Sequence, residues 1–307
     1  MASTKTLIVA GLIGLAAAPV ATPAFAKAKP VATAAATESY SVGPQYDTTH
    51  VYVDAADFDK FVASFVATFG GTTSKQGVFQ VTPTPSQTMS QLALTPAGTI
   101  SVFGFKTPVP YPFGAERTGY LVTDMDAAVA AAVKNGATRL VDTFPDPIGR
   151  DVVVQWPGGV NMQLYWHTTK PSYTPLTTVP ENRVYLTADA ADAFIRDWTA
   201  FSHGKIVSDE KAAPGVEVGQ PGKTIRRVRI QSGYGKLTLL VSNGQIPWPY
   251  GRDMTGYEVA DLAQTLDKAK AAGVETLVPT YDAGGRQAAI LRFPGGYIAE
   301  VHQVTAK

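Results

Sequence analysis

Few side chains in this chain of 307 residues could do chemistry: none is cysteine and only four are histidine. Without cysteine there are no disulfides, thiolate metal sites or thiol nucleophiles, so imidazole, carboxylate, guanidinium and amide groups must carry any reaction. Two stretches frame the choice. WPGGVNMQLYWH (156–167) and FPGGYIAEVHQ (293–303) repeat a Pro-Gly-Gly turn and the strand after it, with Gln163 in one copy at the place of Glu300 in the other. That exchange of carboxylate for amide separates a possible metal site from something else. Among the histidines, His50 opens a strand, and an imidazole there can take a proton near neutral pH. Glu300 and His302 lie two apart and so share one strand face. His167 and His302 fall near strand ends and read as rim or surface residues, and His203 closes a helix.

The elements that must position these residues are duplicated. PYPFGAERTGYLVTDMDAAVAAAVKNGATRLV matches PWPYGRDMTGYEVADLAQTLDKAKAAGVETLV, and the register holds without a gap to the two Pro-Gly-Gly turns. Each copy reads strand, helix, strand, strand, turn, strand. Helical spacing of Met125, Ala128, Val129, Ala132 and Val133, and of Leu262, Leu266 and Ala269, marks the helices, which stop at Gly136 and Gly273. A more divergent unit of the same plan precedes each copy, as HVYVDAADFDKFVASFVATFGG and RVYLTADAADAFIRDWTAFSHG show. The chain therefore holds four strand-helix-strand-strand-strand units in two pairs. The expected domains are 46–168 and 182–307, joined by a Pro- and Thr-rich linker at 169–181. Residues Ser208–Gly222 read as a surface loop.

Duplicated units with PGG before the last strand resemble the vicinal oxygen chelate superfamily, the glyoxalase, bleomycin-resistance and extradiol-dioxygenase group. The resemblance spans about His50 to Gln303, and TGYLVTDMDAAVAAAVKNGA and FPGGYIAEVHQ are its most specific parts. It implies an α+β fold of four βαβββ units forming two consecutive half-open mixed-sheet barrels, each around a concave site. It also implies a divalent metal held by a His or Gln opening each unit and a Glu on the last strand.

Tested residue by residue, neither pair has that set. In the first pair the places hold His50, Arg117, Gln163, and Ser101 or Phe103; in the second, Arg183, Met254, Glu300, and Thr238 or Leu240. A guanidinium does not deprotonate to become a ligand, and a thioether suits softer metals. No cofactor is therefore expected; the fallback is a divalent metal at His50, Gln163 and Glu300. The reading that follows is a metal-free acid/base site, with His50 as base, Arg117 holding a substrate carboxylate, enolate or developing charge, and Gln163 as positioning group. Phe103, Tyr111, Tyr120 and Tyr165 are candidates to line a cavity for a flat apolar ligand, and the expected activity is isomerase or lyase chemistry on a small oxygenated, aromatic molecule. The alternatives are a structural polar cluster satisfied by Gln163, Glu116 or backbone, a binding protein without catalysis, and a metal-dependent glyoxalase- or dioxygenase-like enzyme. In the second pair, Arg183 and Glu300 are expected to form a structural ion pair, with Met254 filling space.

A net charge of +1 with no basic run sets nucleic acid aside as a partner. The expected partner is a small molecule. The chain would be a monomer with an internal pseudo-dimer, or a homodimer. Residues 1–26 have the charged start, apolar middle and Ala24-Phe25-Ala26 end of a secretory signal peptide. Cleavage after Ala26 would release a periplasmic or secreted protein, free of the membrane, that begins with a flexible leader at 27–45.

Overall fold

A computed structural model describes residues 43–251 and 253–305. The signal peptide and most of the leader lie outside the described residues. The described residues belong to one compact unit. The leader's last residues are docked: Gln45 is buried, donates to the Leu121 carbonyl and accepts from the Leu121 amide.

The first two units run β1 (Thr49–Tyr52), α1 (Phe58–Phe69), β2 (Thr72–Thr73), β3 (Gly77–Phe79), β4 (Thr88–Thr95), β5 (Gly98–Phe105), then β6 (Arg117–Leu121), α2 (Met125–Lys134), β7 (Thr138–Pro145), β8 (Gly149–Trp156) and β9 (Val160–His167). The third and fourth run β10 (Glu181–Thr187), α3 (Ala188–Ser202), β11 (Lys205–Pro214), β12 (Thr224–Ser232), β13 (Gly235–Ser242), then β14 (Met254–Glu258), α4 (Leu262–Ala271), β15 (Glu275–Asp282), β16 (Arg286–Arg292) and β17 (Ile298–Val304). Among the described residues these strands form two mixed sheets. One is ordered β2-β4-β5-β1-β6-β9-β8-β7 with β3 beside β4; the other is β11-β12-β13-β10-β14-β17-β16-β15. The architecture is α+β and glyoxalase-like.

Local sequence explains the repeated parts. Asp124 and Asp261, at matching places, cap α2 and α4 by accepting the amides of Ala127 and Gln264. In the Pro-Gly-Gly turns Gly158, Gly159, Gly295 and Gly296 all have positive φ, between 80° and 90°, where a side chain would be strained. The helices cover the outer faces and join the two halves. The apolar face of α1, with Phe58, Phe61 and Phe65, shares a core with Leu262 and Ala269 of α4. The corresponding core on the other side joins Met125 and Ala128 of α2 to Phe194 and Trp198 of α3. Each large side chain so buried contributes roughly 1.5–3 kcal/mol. With both helix layers spent on this contact, the concave sheet faces are left to form sites.

Ser208–Gly222 is not a surface loop. Its first half belongs to β11, which pairs with β12 through two irregular steps, and a short 3-10 turn then carries Glu217 to zero exposure. Irregular pairing hides strand alternation from a sequence pattern, and Gly215 and Pro214 read as loop residues although they make the turn.

Candidate functional site

The first sheet brings the three candidate residues together because its central strands are in register. His50 on β1 lies directly opposite Arg117 on β6 and beside Ser101 on β5, and Gln163 on β9 lies beside Gly119 of β6. Gly119 has a specific reason to be glycine: a Cβ there would sit 2.9 Å from His50 Nε2 and 3.0 Å from its Cε1. The repeated Thr-Gly-Tyr thus clears space for the imidazole. His50, Arg117 and Gln163 are 4%, 3% and 5% exposed, and all three line a cavity of about 400 Å³.

Hydrogen bonds fix their states. Arg117 Nε and Nη2 both donate to Gln163 Oε1, at 3.1 and 2.9 Å. The same oxygen accepts from His50 Nδ1 at 3.0 Å, so the proton of the neutral ring sits on Nδ1 and the Nε2 lone pair is free. Nε2 points to Asp47, whose Oδ2 is 3.8 Å away. Burial, reinforced by the charge of Arg117, pushes the His50 pKa down to about 3. Burial acts in the opposite sense on Asp47 and raises it to about 6, against opposing hydrogen bonds from Ser101 and Tyr173. Of the two, Asp47 has the pKa nearer neutrality, with His50 a neutral imidazole next to it. Desolvation beside a fixed cation disfavours the charged form of His50, which weighs against the expectation that it is itself the base. Asp151 on β8 also lines the cavity, and burial holds its carboxyl well above the usual range.

Arg117 also donates to the Tyr52 hydroxyl at 2.7 Å, and its guanidinium lies 5.3 and 4.7 Å from the Tyr52 and Phe113 ring centres. Glu116 turns away from it, accepting instead from the Thr255 amide and hydroxyl. Phe103 and Tyr165 line the cavity, at 5.7 and 6.3 Å between their rings and that of His50. Tyr111 and Tyr120 do not. Tyr111 is 80% exposed on its Pro-rich loop, and Tyr120 packs on Trp198 and Tyr234 in the core joining the halves. Strand alternation decides the second case: Gly119 and Leu121 share one face of β6, and Tyr120 takes the other.

The sequence reading missed Asp47, Asp151 and Tyr173. Asp151 was findable, as an acidic residue directly before the apolar run Val152–Val154 of a strand. Asp47 precedes β1, and Tyr173 lies in the linker between the halves; no periodicity assigns either a face.

The second sheet is charged differently. Arg183, fully buried, pairs with Glu181 at 3.0 Å, Glu217 at 3.1 Å and Glu300 at 3.4 Å. Arg286 pairs with Glu181 at 3.0 Å, and Arg227 with Glu217 and Glu210. Burial would raise Glu181, but Arg286 and Arg183 outweigh it and hold the carboxyl well below its usual value. Met254 fills apolar space beside Tyr185 and Ile290. His302 is not a rim residue: it is 2% exposed and its Nδ1 donates to Glu300 at 2.7 Å. A cavity of about 560 Å³ opens here too, but its cations are matched, Arg229 by Glu210 and Lys236 by Glu258.

Neither set fits a divalent metal. Glu300 lies in the other sheet from His50 and Gln163, so the fallback trio does not converge. No group of three His, Asp or Glu side chains suited to a metal occurs among the described residues. In the first barrel the permanently protonated Arg117 stands at the point where His50 and Gln163 meet, and a second cation there would be repelled.

No family model and no curated protein matches the sequence. Solved structures do. A mutant of 4-hydroxymandelate synthase from Streptomyces coelicolor superposes with a TM-score of 0.57 at 14% identity, over 86% of this chain and 94% of that one. The 2,3-dioxygenase LapB from a Pseudomonas species gives 0.54 at 9% identity, over 87% and 94%. The Mn(II)-bound glyoxalase from Novosphingobium aromaticivorans gives 0.50 at 11%, over 86% and 83%. At such identities the likeness concerns the fold alone: this chain has the fold of these proteins, built as paired βαβββ units in two mixed sheets.

Proposed function

We propose that the first barrel is the active site of a metal-independent enzyme that moves a proton on a small, oxygenated, apolar-bodied molecule, in an isomerisation or elimination. What carries this reading is one line of contacts in one cavity, Arg117–Gln163–His50–Asp47, with a fixed cation at one end and a carboxyl of pKa about 6 at the other. Ionised Asp47 takes a proton from a substrate carbon, the electron pair left behind is drawn toward the oxygen held at the Arg117 end, and Asp47 returns the proton at another position or after a leaving group departs. His50 keeps Nε2 beside Asp47 because Gln163 holds the other ring nitrogen. Phe103 and Tyr165 supply the apolar wall. A neighbour bears the name of a manganese-bound glyoxalase, but the donor set here gives that chemistry no footing.

Solvent deuterium exchange into unsaturated and aromatic acids, followed by mass spectrometry with a chelator present, tests the proposal. Exchange by the native protein that is lost in Asp47→Asn and His50→Ala, with affinity kept within a few-fold, is the expected result. Binding with no exchange anywhere in the panel would favour a sequestering protein. Export is part of the proposal, supported by the composition of residues 1–26; N-terminal sequencing of the mature protein should start at Lys27.

A further inference from the structure

We infer that the ligand of the first barrel carries a single carboxylate at rest, bound at Arg117. The inference rests on reading that cavity as the substrate site. Four arginines are buried among the described residues: Arg117, Arg183, Arg227 and Arg286. Three of them pair with glutamates within 3.1 Å. Among the described residues Arg117 has no carboxylate within ion-pair distance, Asp151 acting on it only from farther off; it bonds to the Gln163 amide oxygen and the Tyr52 hydroxyl, both neutral, and its Nη1 has no partner there. Two aromatic faces offset part of the cost of a buried charge, but cation–π contacts supply less than a formal counter-ion in such a setting. A site that only needed to stabilise charge during reaction could use neutral donors; an unmatched guanidinium in a cavity wall calls for an anion already present.

The rest of the lining limits that anion to one charge. Asp47, Asp146 and Asp151 face the same cavity, and all three have raised pKa values, so a phosphate dianion would meet acidic groups that its own charge would have to hold protonated. Lys75, exposed at the mouth, adds an attractive charge on the way in. The His50 ring separates Arg117 from Asp47, so the reacting carbon lies several bonds from the carboxylate. An unsaturated or aryl monocarboxylate has that shape, with a flat body for Phe103, Tyr165 and Ile148.

Calorimetric titration of the native protein with cinnamate, its neutral isostere cinnamamide, and phenyl phosphate tests this. Cinnamate should bind at least tenfold more tightly than either of the others. Arg117→Met should erase the preference for acid over amide, and Arg117→Lys should keep part of it. Equal or tighter binding of the amide, or of phenyl phosphate, would overturn the inference on the native protein alone, whether or not Arg117→Met folds. Ser90→Trp, which fills the cavity from half-buried β4, separates the two claims. If amide and acid bind equally and both are lost in that variant, the cavity stands and the carboxylate falls; if cinnamate binds undiminished in it, the site reading falls as well.

Discussion

Where β6 carries Arg117, β14 carries Met254; where β9 carries Gln163, β17 carries Glu300; where β1 carries His50, β10 carries Arg183. The strand framework is the same and the two interiors are opposites. In the second barrel every buried guanidinium among the described residues faces glutamate, and Glu300 pairs with Arg183 and His302. In the first, the cation has no carboxylate within ion-pair distance among the described residues, and burial raises the carboxyls, Asp47 to about 6 and Asp151 well above its usual range. A closed charge network stiffens a fold; an open one waits for a charged guest. On the function proposed above, the difference teaches that two copies of one strand framework divide support from recognition by a handful of inward-facing residues.

The largest effect is expected where the closed network is cut. Glu217 accepts from Arg183, Arg227 and Arg286, so Glu217→Ala removes an anion that three buried cations share and should cost about 3–5 kcal/mol. For a domain of this size that is a fall in Tm of roughly 10 °C, read by calorimetry. Cinnamate affinity per folded molecule should hardly change.

Asp47→Asn should act in the opposite direction on stability. Because burial raises the Asp47 pKa from 3.8 to about 6, its contribution is fully present below pH 3.8 and is lost as pH rises through about 6. Ionised Asp47 then costs the folded state about 3 kcal/mol. The variant should therefore be more stable than the native protein by up to that amount at pH 8, match it near pH 4, and be inactive. Denaturant titrations at the two pH values check it; equal stability at pH 8 would place Asp47 in water.

Arg117→His with Gln163→Glu would replace the cation and the amide by a second imidazole and a carboxylate, at a point where His50 already converges. The double variant should gain a divalent-metal site and be stabilised by about 2–3 kcal/mol in manganese or zinc at a hundred times the dissociation constant. No thermal shift with any divalent metal would mean that the strands do not aim these side chains at one point. The smallest effect on stability is expected of Gly119→Ala: displacing His50 should cost about 1–3 kcal/mol while removing most exchange activity.

The fold could be read from the repeat because the same turn glycines, helix caps and strand patterns occur twice, and two imperfect copies expose each other's register. Placing His50, Arg117 and Gln163 near one another needed only that register. Their states did not follow from it. That His50 is held neutral, and that Asp47 rather than His50 titrates near neutrality, depends on burial by elements far apart in the chain and on the charge of Arg117, with Ser101 and Tyr173 opposing the shift of Asp47. Glu217 was read as loop because it sits on a one-turn 3-10 segment after the bulged β11, too short for any period to mark a buried face. Tyr120 and Tyr111 show the limit from the other side: an aromatic residue near a site in sequence can lie on the wrong face of its strand, or on a loop in solvent.

Elemental analysis of the purified native protein, expressed in medium containing iron, zinc, nickel and manganese and never exposed to chelator, tests the central claim most directly. The account predicts far less than one equivalent of any of these metals, because Arg117 occupies the place a cation would take. Near-stoichiometric metal that is lost in His50→Ala would contradict it.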